Sequence, residues 1–137
     1  MSSRRSIAKD QRLGTVKGQQ LELLATRLPL ELRKRRLELI AVGVELTDQL
    51  ARQERQKLRV CLSVRAEKKA KGSLRYTNEK ARQEAVQHAL DQNATYQRRA
   101  RRIKALRVKQ QKLEAEIEFL KRMHTGVVAV LRAKEEV

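Results

Sequence analysis

Between Tyr96 and Leu131, apolar residues return at alternating steps of three and four: Ile103, Leu106, Leu113, Ile117, Leu120, Val127 and Leu131. This is the ~3.5-residue period of a helix seam that faces another helix. Written as heptads, Tyr96, Ile103, Gln110, Ile117, His124 and Leu131 take position a, and Arg99, Leu106, Leu113, Leu120 and Val127 take position d. A lone helix cannot keep such a stripe from water, so a partner helix is required. The polar members Arg99, Gln110 and His124 are of the kind that sets register or oligomeric state at some cost in stability.

The chain upstream offers that partner. Residues 1–18 hold Ser2, Ser3, Ser6, Gly14 and Gly18 among scattered Arg and Lys with no period, which predicts a mobile basic arm. Residues 19–28 place Leu21, Leu24, Ala25 and Leu28 on one face of a short helix. Pro29 follows, and because the residue before proline avoids the α region, that helix is expected to end or kink at Leu28 with Pro29 opening the next. From there to residue 71 only Gly43 opposes a helix, at about 1 kcal/mol against alanine. Leu37, Ile40, Val44 and Leu58 fall on one face, and Leu39, Leu46, Leu50, Val60 and Val64 on or beside another. This band is wider than a two-stranded seam needs and predicts contact with more than one helix.

Lys71-Gly72-Ser73-Leu74-Arg75 then interrupts the pattern. Gly72 suits a helix C-cap, Thr77 or Asn78 an N-cap, and Glu79 the first turn of a new helix. Residues 91–95 mark a local irregularity before the heptads. The expected fold is therefore all-α: an antiparallel two-helix coiled-coil hairpin with a Pro-kinked N-terminal helical extension. Its parts would be the arm 1–18 and the hairpin 19–137, with helices at about 19–28, 29–71 and 77–134 and a turn at 72–76. A turn centred on Ser73 and Leu74 sets Val44 near Lys104, and Arg33, Lys34, Arg35 and Arg36 opposite Glu114, Glu116 and Glu118.

Lys and Arg number 33 against 16 acids, a net charge of +17 and a pI near 10.9. Such an excess points to a polyanion, nucleic acid ahead of an anionic membrane. The register leaves two basic groups without matching acids. The first is Arg98, Arg99, Arg101, Arg102, Lys104, Arg107, Lys109 and Lys112, in a stretch with no acid between Gln92 and Leu113. The second lies towards the turn: Arg52, Arg55, Lys57, Arg59, Arg65, Lys68, Lys69, Lys71, Arg75, Lys80 and Arg82, against only Glu54, Glu67 and Glu79. Cations spaced along a rod neutralise phosphates and release counterions, a mode blind to sequence and sensitive to salt. Charges on a coiled coil can also do no more than solvate a face, and it is their segregation from acids that favours phosphate. Only Tyr76, Tyr96 and Phe119 are aromatic, so base stacking is not expected.

No Gly-rich phosphate loop, metal-spaced Cys or His pair, or Ser-His-Asp set is present, and a non-enzyme without catalytic residues, metal or cofactor is expected. Cys61 stands alone, so no intrachain disulfide can form, and it reads as a small helical residue in a reducing compartment. No signal-type apolar core follows the basic first residues, and no apolar run is long enough to span a bilayer. A cytoplasmic protein without a membrane partner is expected.

Thr77-Asn78-Glu79-Lys80-Ala81-Arg82, Asp91, Tyr96-Gln97 and the stretch from Leu113 to Arg122 resemble a group of small helical-hairpin proteins of phages and mobile elements. These are often encoded near recombination or single-stranded-DNA-binding genes. The resemblance implies a place in DNA metabolism and transfers no site residues. The expected function is a nucleic-acid-binding accessory protein, with DNA favoured over RNA, that grips the backbone with little sequence specificity and forms a homodimer. The alternatives are a structural or adaptor coiled coil with an acidic protein partner, and a regulator using the turn as a wedge.

Overall fold

The computed structural model describes the backbone of residues 2–67, 76 and 78–135, with side chains from residue 18 onward. It holds three α-helices: α1 (Ser2–Ala66), α2 (Glu79–Gln92) and α3 (Ala94–Glu135), with no strand among the described residues. Ala, Leu, Arg, Lys, Glu and Gln fill these segments, and all are good helix formers.

Two expectations are corrected. The helix does not end at Leu28: α1 runs through Pro29 and takes in the segment expected as a basic arm. Proline inside a helix removes one backbone hydrogen bond and costs ~3 kcal/mol. Leu28 and Leu32 are buried on either side of it, and burying each contributes about 1.5–3 kcal/mol, enough to hold the helix across the defect. Pro29 itself faces solvent. The second correction concerns the single C-terminal helix, which is two helices parted at Asn93.

Asn78 caps α2: its backbone is extended and its side chain accepts from the Lys80 N–H at 2.8 Å, with Glu79 in the first turn. Asn93 has an extended backbone too (φ −83°, ψ 106°). Its N–H donates to Leu90 O at 3.1 Å, closing α2, while its own carbonyl accepts from Gln97 N–H at 3.0 Å, opening α3. Its Oδ1 accepts from Tyr96 N–H at 2.9 Å, so one asparagine ends one helix and caps the next. Of the expected turn at 72–76, residues 72–75 lie outside the described residues.

The chain forms two compact units. In the first, Met1–Ile40 with Gln111–Val137, the buried residues are Leu28, Leu32, Leu113, Ile117 and Val127. Arg35 reaches Glu116 at 3.3 Å, and Gly18 lies beside Lys134, so α1 and α3 run antiparallel within it. In the second, Ala41–Gln110, the buried residues are Val42, Leu46, Val64, Leu90, Ile103 and Leu106. Glu45 meets Arg102, and Gln56 meets Arg99 and Asn93, again antiparallel. Arg35 with Glu116, Glu45 with Arg102 and Gln56 with Asn93 fall within a helical turn of the register expected from the sequence, while Arg99 reaches Gln56 from about two turns further along.

The two apolar faces of α1 separate. Leu46 and Val64 are buried and Leu39, Leu50 and Val60 half-buried, whereas Leu37, Ile40, Val44 and Leu58 are all more than half exposed. Gly43 has open space around it: a Cβ there meets nothing within 4 Å. Gly43→Ala is therefore expected to raise stability by about 0.5–1 kcal/mol, read as a higher urea midpoint at unchanged slope.

Candidate nucleic-acid interface

On α3 the seam occupies one side: Ile103, Leu106, Leu113, Ile117 and Val127 are buried and Leu120 half-buried. Helical spacing puts Arg98, Arg101 and Lys104 on the opposite side, and all three are exposed, as are Arg102, Lys109 and Lys112. Among the described residues, Arg98, Lys104, Arg107, Lys109 and Lys112 have no hydrogen bond or ion pair. Arg101 reaches only the Gln97 carbonyl of its own helix, at 3.5 Å. Arg102 differs from its neighbours: its Nε and Nη2 both donate to Glu45 Oε1, at 2.8 and 2.6 Å. That forked ion pair compensates its charge and removes it from the free set.

The other acids expected opposite the basic run are also taken. Asp48 pairs with Arg52 at 3.1 Å and Glu38 with Arg35 at 3.6 Å. The Arg33–Arg36 cluster is less fully matched than the sequence register implied. Among the described residues only Arg35 of the four reaches a carboxylate across the helices, and Glu118 turns to Arg122 on its own helix at 3.4 Å. Exposed pairs of this kind contribute about 0–1 kcal/mol and steer register more than stability.

Arg65 is exposed in the last turn of α1, where a cation suits the helix C-terminus. It lines a cleft of about 250 Å³ with Lys57, half-buried Cys61, Arg82 and Leu90. Lys68, Lys69, Lys71 and Arg75, expected in the same basic group, lie outside the described residues.

A second concavity, of about 350 Å³, is lined by Arg52, Arg55, Gln56, Arg59, Thr95 and Arg99. No carboxylate lines it among the described residues. Arg99 was expected both as a polar seam residue and as a member of the basic run. It is half-buried, and its Nη1 donates to Gln56 Oε1 at 2.8 Å and to the Arg52 carbonyl at 3.3 Å. Gln56 in turn donates to Asn93 Oδ1 at 3.1 Å, tying the network to the junction of α2 and α3. Arg52, Arg55 and Arg59 belong to the basic group expected towards the turn, and their spacing at i, i+3 and i+7 puts them on one helix face. What the spacing could not supply was Arg99, which arrives from another helix.

Among the described residues no helix is long and apolar enough to cross a membrane, and no group of three or more His, Cys, Asp or Glu could hold a metal. No protein-family model, curated protein or solved structure matches the chain.

Proposed function

We propose that this chain is a non-enzymatic helical-hairpin protein that binds the phosphate backbone of nucleic acid, DNA ahead of RNA, with little sequence preference. The observation that carries the reading is the acid-free stretch of α3, in which Arg98, Lys104, Arg107 and Lys109 are exposed without partners among the described residues. Four uncompensated cations on about three turns of helix attract a polyanion through Coulomb forces and counterion release, and neither needs a base contact. The scarcity of aromatic side chains agrees with a backbone mode. A role in recombination or replication of a mobile element rests on the sequence resemblance alone.

Fluorescence anisotropy of a labelled oligonucleotide, titrated across salt concentrations, tests the reading. Binding is expected at low salt, similar for unrelated sequences, with an affinity that falls steeply as salt rises. No binding at low salt overturns it.

A second reading, self-association, is favoured by the exposed apolar side of α1. In the first unit Leu23, Leu30 and Leu37 are seven residues apart and each is more than half exposed. Seven-residue spacing is what a second helix covers, and a two-fold axis lays this stripe on its own copy. Sedimentation equilibrium is expected to give a dimer, and Leu30→Gln with Leu37→Gln a monomer of unchanged helicity. A wild-type monomer sinks this reading. Capture of an acidic protein instead would persist in high salt.

A further inference from the structure

We propose that the concavity lined by Arg52, Arg55, Gln56, Arg59, Thr95 and Arg99 is a discrete site for a phosphate group carrying more than one negative charge. Its ligand class is a phosphomonoester or an oligophosphate. Where the nucleic-acid reading holds, that group is the phosphorylated end of a strand, and this last step rests on that reading.

Four guanidinium-bearing side chains converge on one hollow, and among the described residues the one carboxylate paired with any of them is Asp48, on Arg52 at 3.1 Å. Arg55 and Arg59 have no hydrogen bond or ion pair among the described residues. Arg99 is held by Gln56 and by the Arg52 carbonyl, and Gln56 is held by Asn93, so this guanidinium is positioned before any ligand arrives. Planar guanidinium forks match phosphate oxygens in pairs.

Charge selects the kind of phosphate. An internal backbone phosphodiester carries one negative charge, whereas a phosphomonoester carries about 1.5 to 2 at neutral pH. Three guanidiniums without a carboxylate repel one another until an anion arrives, and a multiply charged phosphate relieves that repulsion better than a diester. Size agrees: about 350 Å³ sits at the low end of the ~300–1,000 Å³ typical of small-ligand pockets. No aromatic ring lines the hollow, so the site reads phosphate and ignores the base.

Calorimetric titration of pyrophosphate into the full chain tests the site without nucleic acid. One-to-one binding is expected, weakened about tenfold or more by Arg55→Gln with Arg59→Gln. The same loss of charge elsewhere, Arg33→Gln with Arg36→Gln, should leave it nearly unchanged. All these side chains are exposed and glutamine favours helix, so circular dichroism should show intact folds. No pyrophosphate binding, or equal loss in the two variants, overturns the site. A second arm compares one oligonucleotide with a 5′-phosphate and with a 5′-hydroxyl. Preference for the phosphate that disappears in Arg55→Gln with Arg59→Gln assigns the ligand to a strand end, and equal affinity assigns it to a free oligophosphate. If neither strand binds while pyrophosphate does, the nucleic-acid reading fails and the site stands.

Discussion

Exchanging Arg98, Arg101, Lys104 and Lys109 for glutamine is expected to weaken oligonucleotide binding by about 100-fold or more at ~0.1 M salt, with a shallower salt dependence. Each lost phosphate contact removes about 0.7–0.9 from the slope of log affinity against log salt, so four reduce it by about three. Arg102 is left out of the set because Glu45 already compensates it. The four chosen side chains have no carboxylate partner among the described residues, so removing them breaks no ion pair. Glutamine is also nearly as good a helix former as the residues it replaces. Helicity and oligomeric state should therefore match the wild type. An affinity and slope equal to the wild type would move the binding surface off α3. A loss confined to one oligonucleotide sequence would replace backbone contact with base readout.

The largest effect on stability is expected at Leu106, which at 1 % exposure is the most completely buried large side chain among the described residues. Leu106→Ala is expected to cost about 2–5 kcal/mol, read from urea unfolding followed by circular dichroism. Alanine is the stronger helix former, so the loss reports packing and a cavity, with no contribution from helix propensity. Val108→Ala serves as the control: at 44 % exposure it should change stability by about 0.5 kcal/mol or less. A loss below ~1 kcal/mol at Leu106 would mean that the seam is not the hydrophobic contact holding the second unit together.

The seam was legible because its period is a property of one helix. Ile103, Leu106, Leu113, Ile117 and Val127 stand out by spacing, and all are buried. Asn78 was legible for a local reason, since capping needs only a short polar side chain beside a helix start. The irregularity near Asn93 was visible too, but not its sharpness: a cap within a helical run competes with helix continuation, and tertiary partners decide between them. Gln56, donating to Asn93 Oδ1, is such a partner. The ending allowed at Pro29 fails for the same reason, because local sterics argue for a break while burial of Leu28 and Leu32 argues for continuity. On α1 the period marked two apolar faces without telling which one turns inward. Leu37 and Val44 are as apolar as Leu46, yet Leu46 alone of the three is buried. The free cations of α3 could be read from the missing acids, whereas the arginine-lined hollow needed two helices brought side by side.

The interruption at Asn93 also sets where damage stops. Leu90 is the one buried residue of the fourteen in α2, so little apolar contact holds that helix in place. Fraying that starts at Asn78 can travel along α2, but at Asn93 it meets a helix whose first turn is secured by its own asparagine and by Gln56. The cleft beside Cys61 would come apart with α2, since Glu79, Arg82 and Leu90 help to wall it. The four-arginine hollow takes its walls from α1 and α3 alone, so the junction works as a firebreak and the hollow outlasts its neighbour.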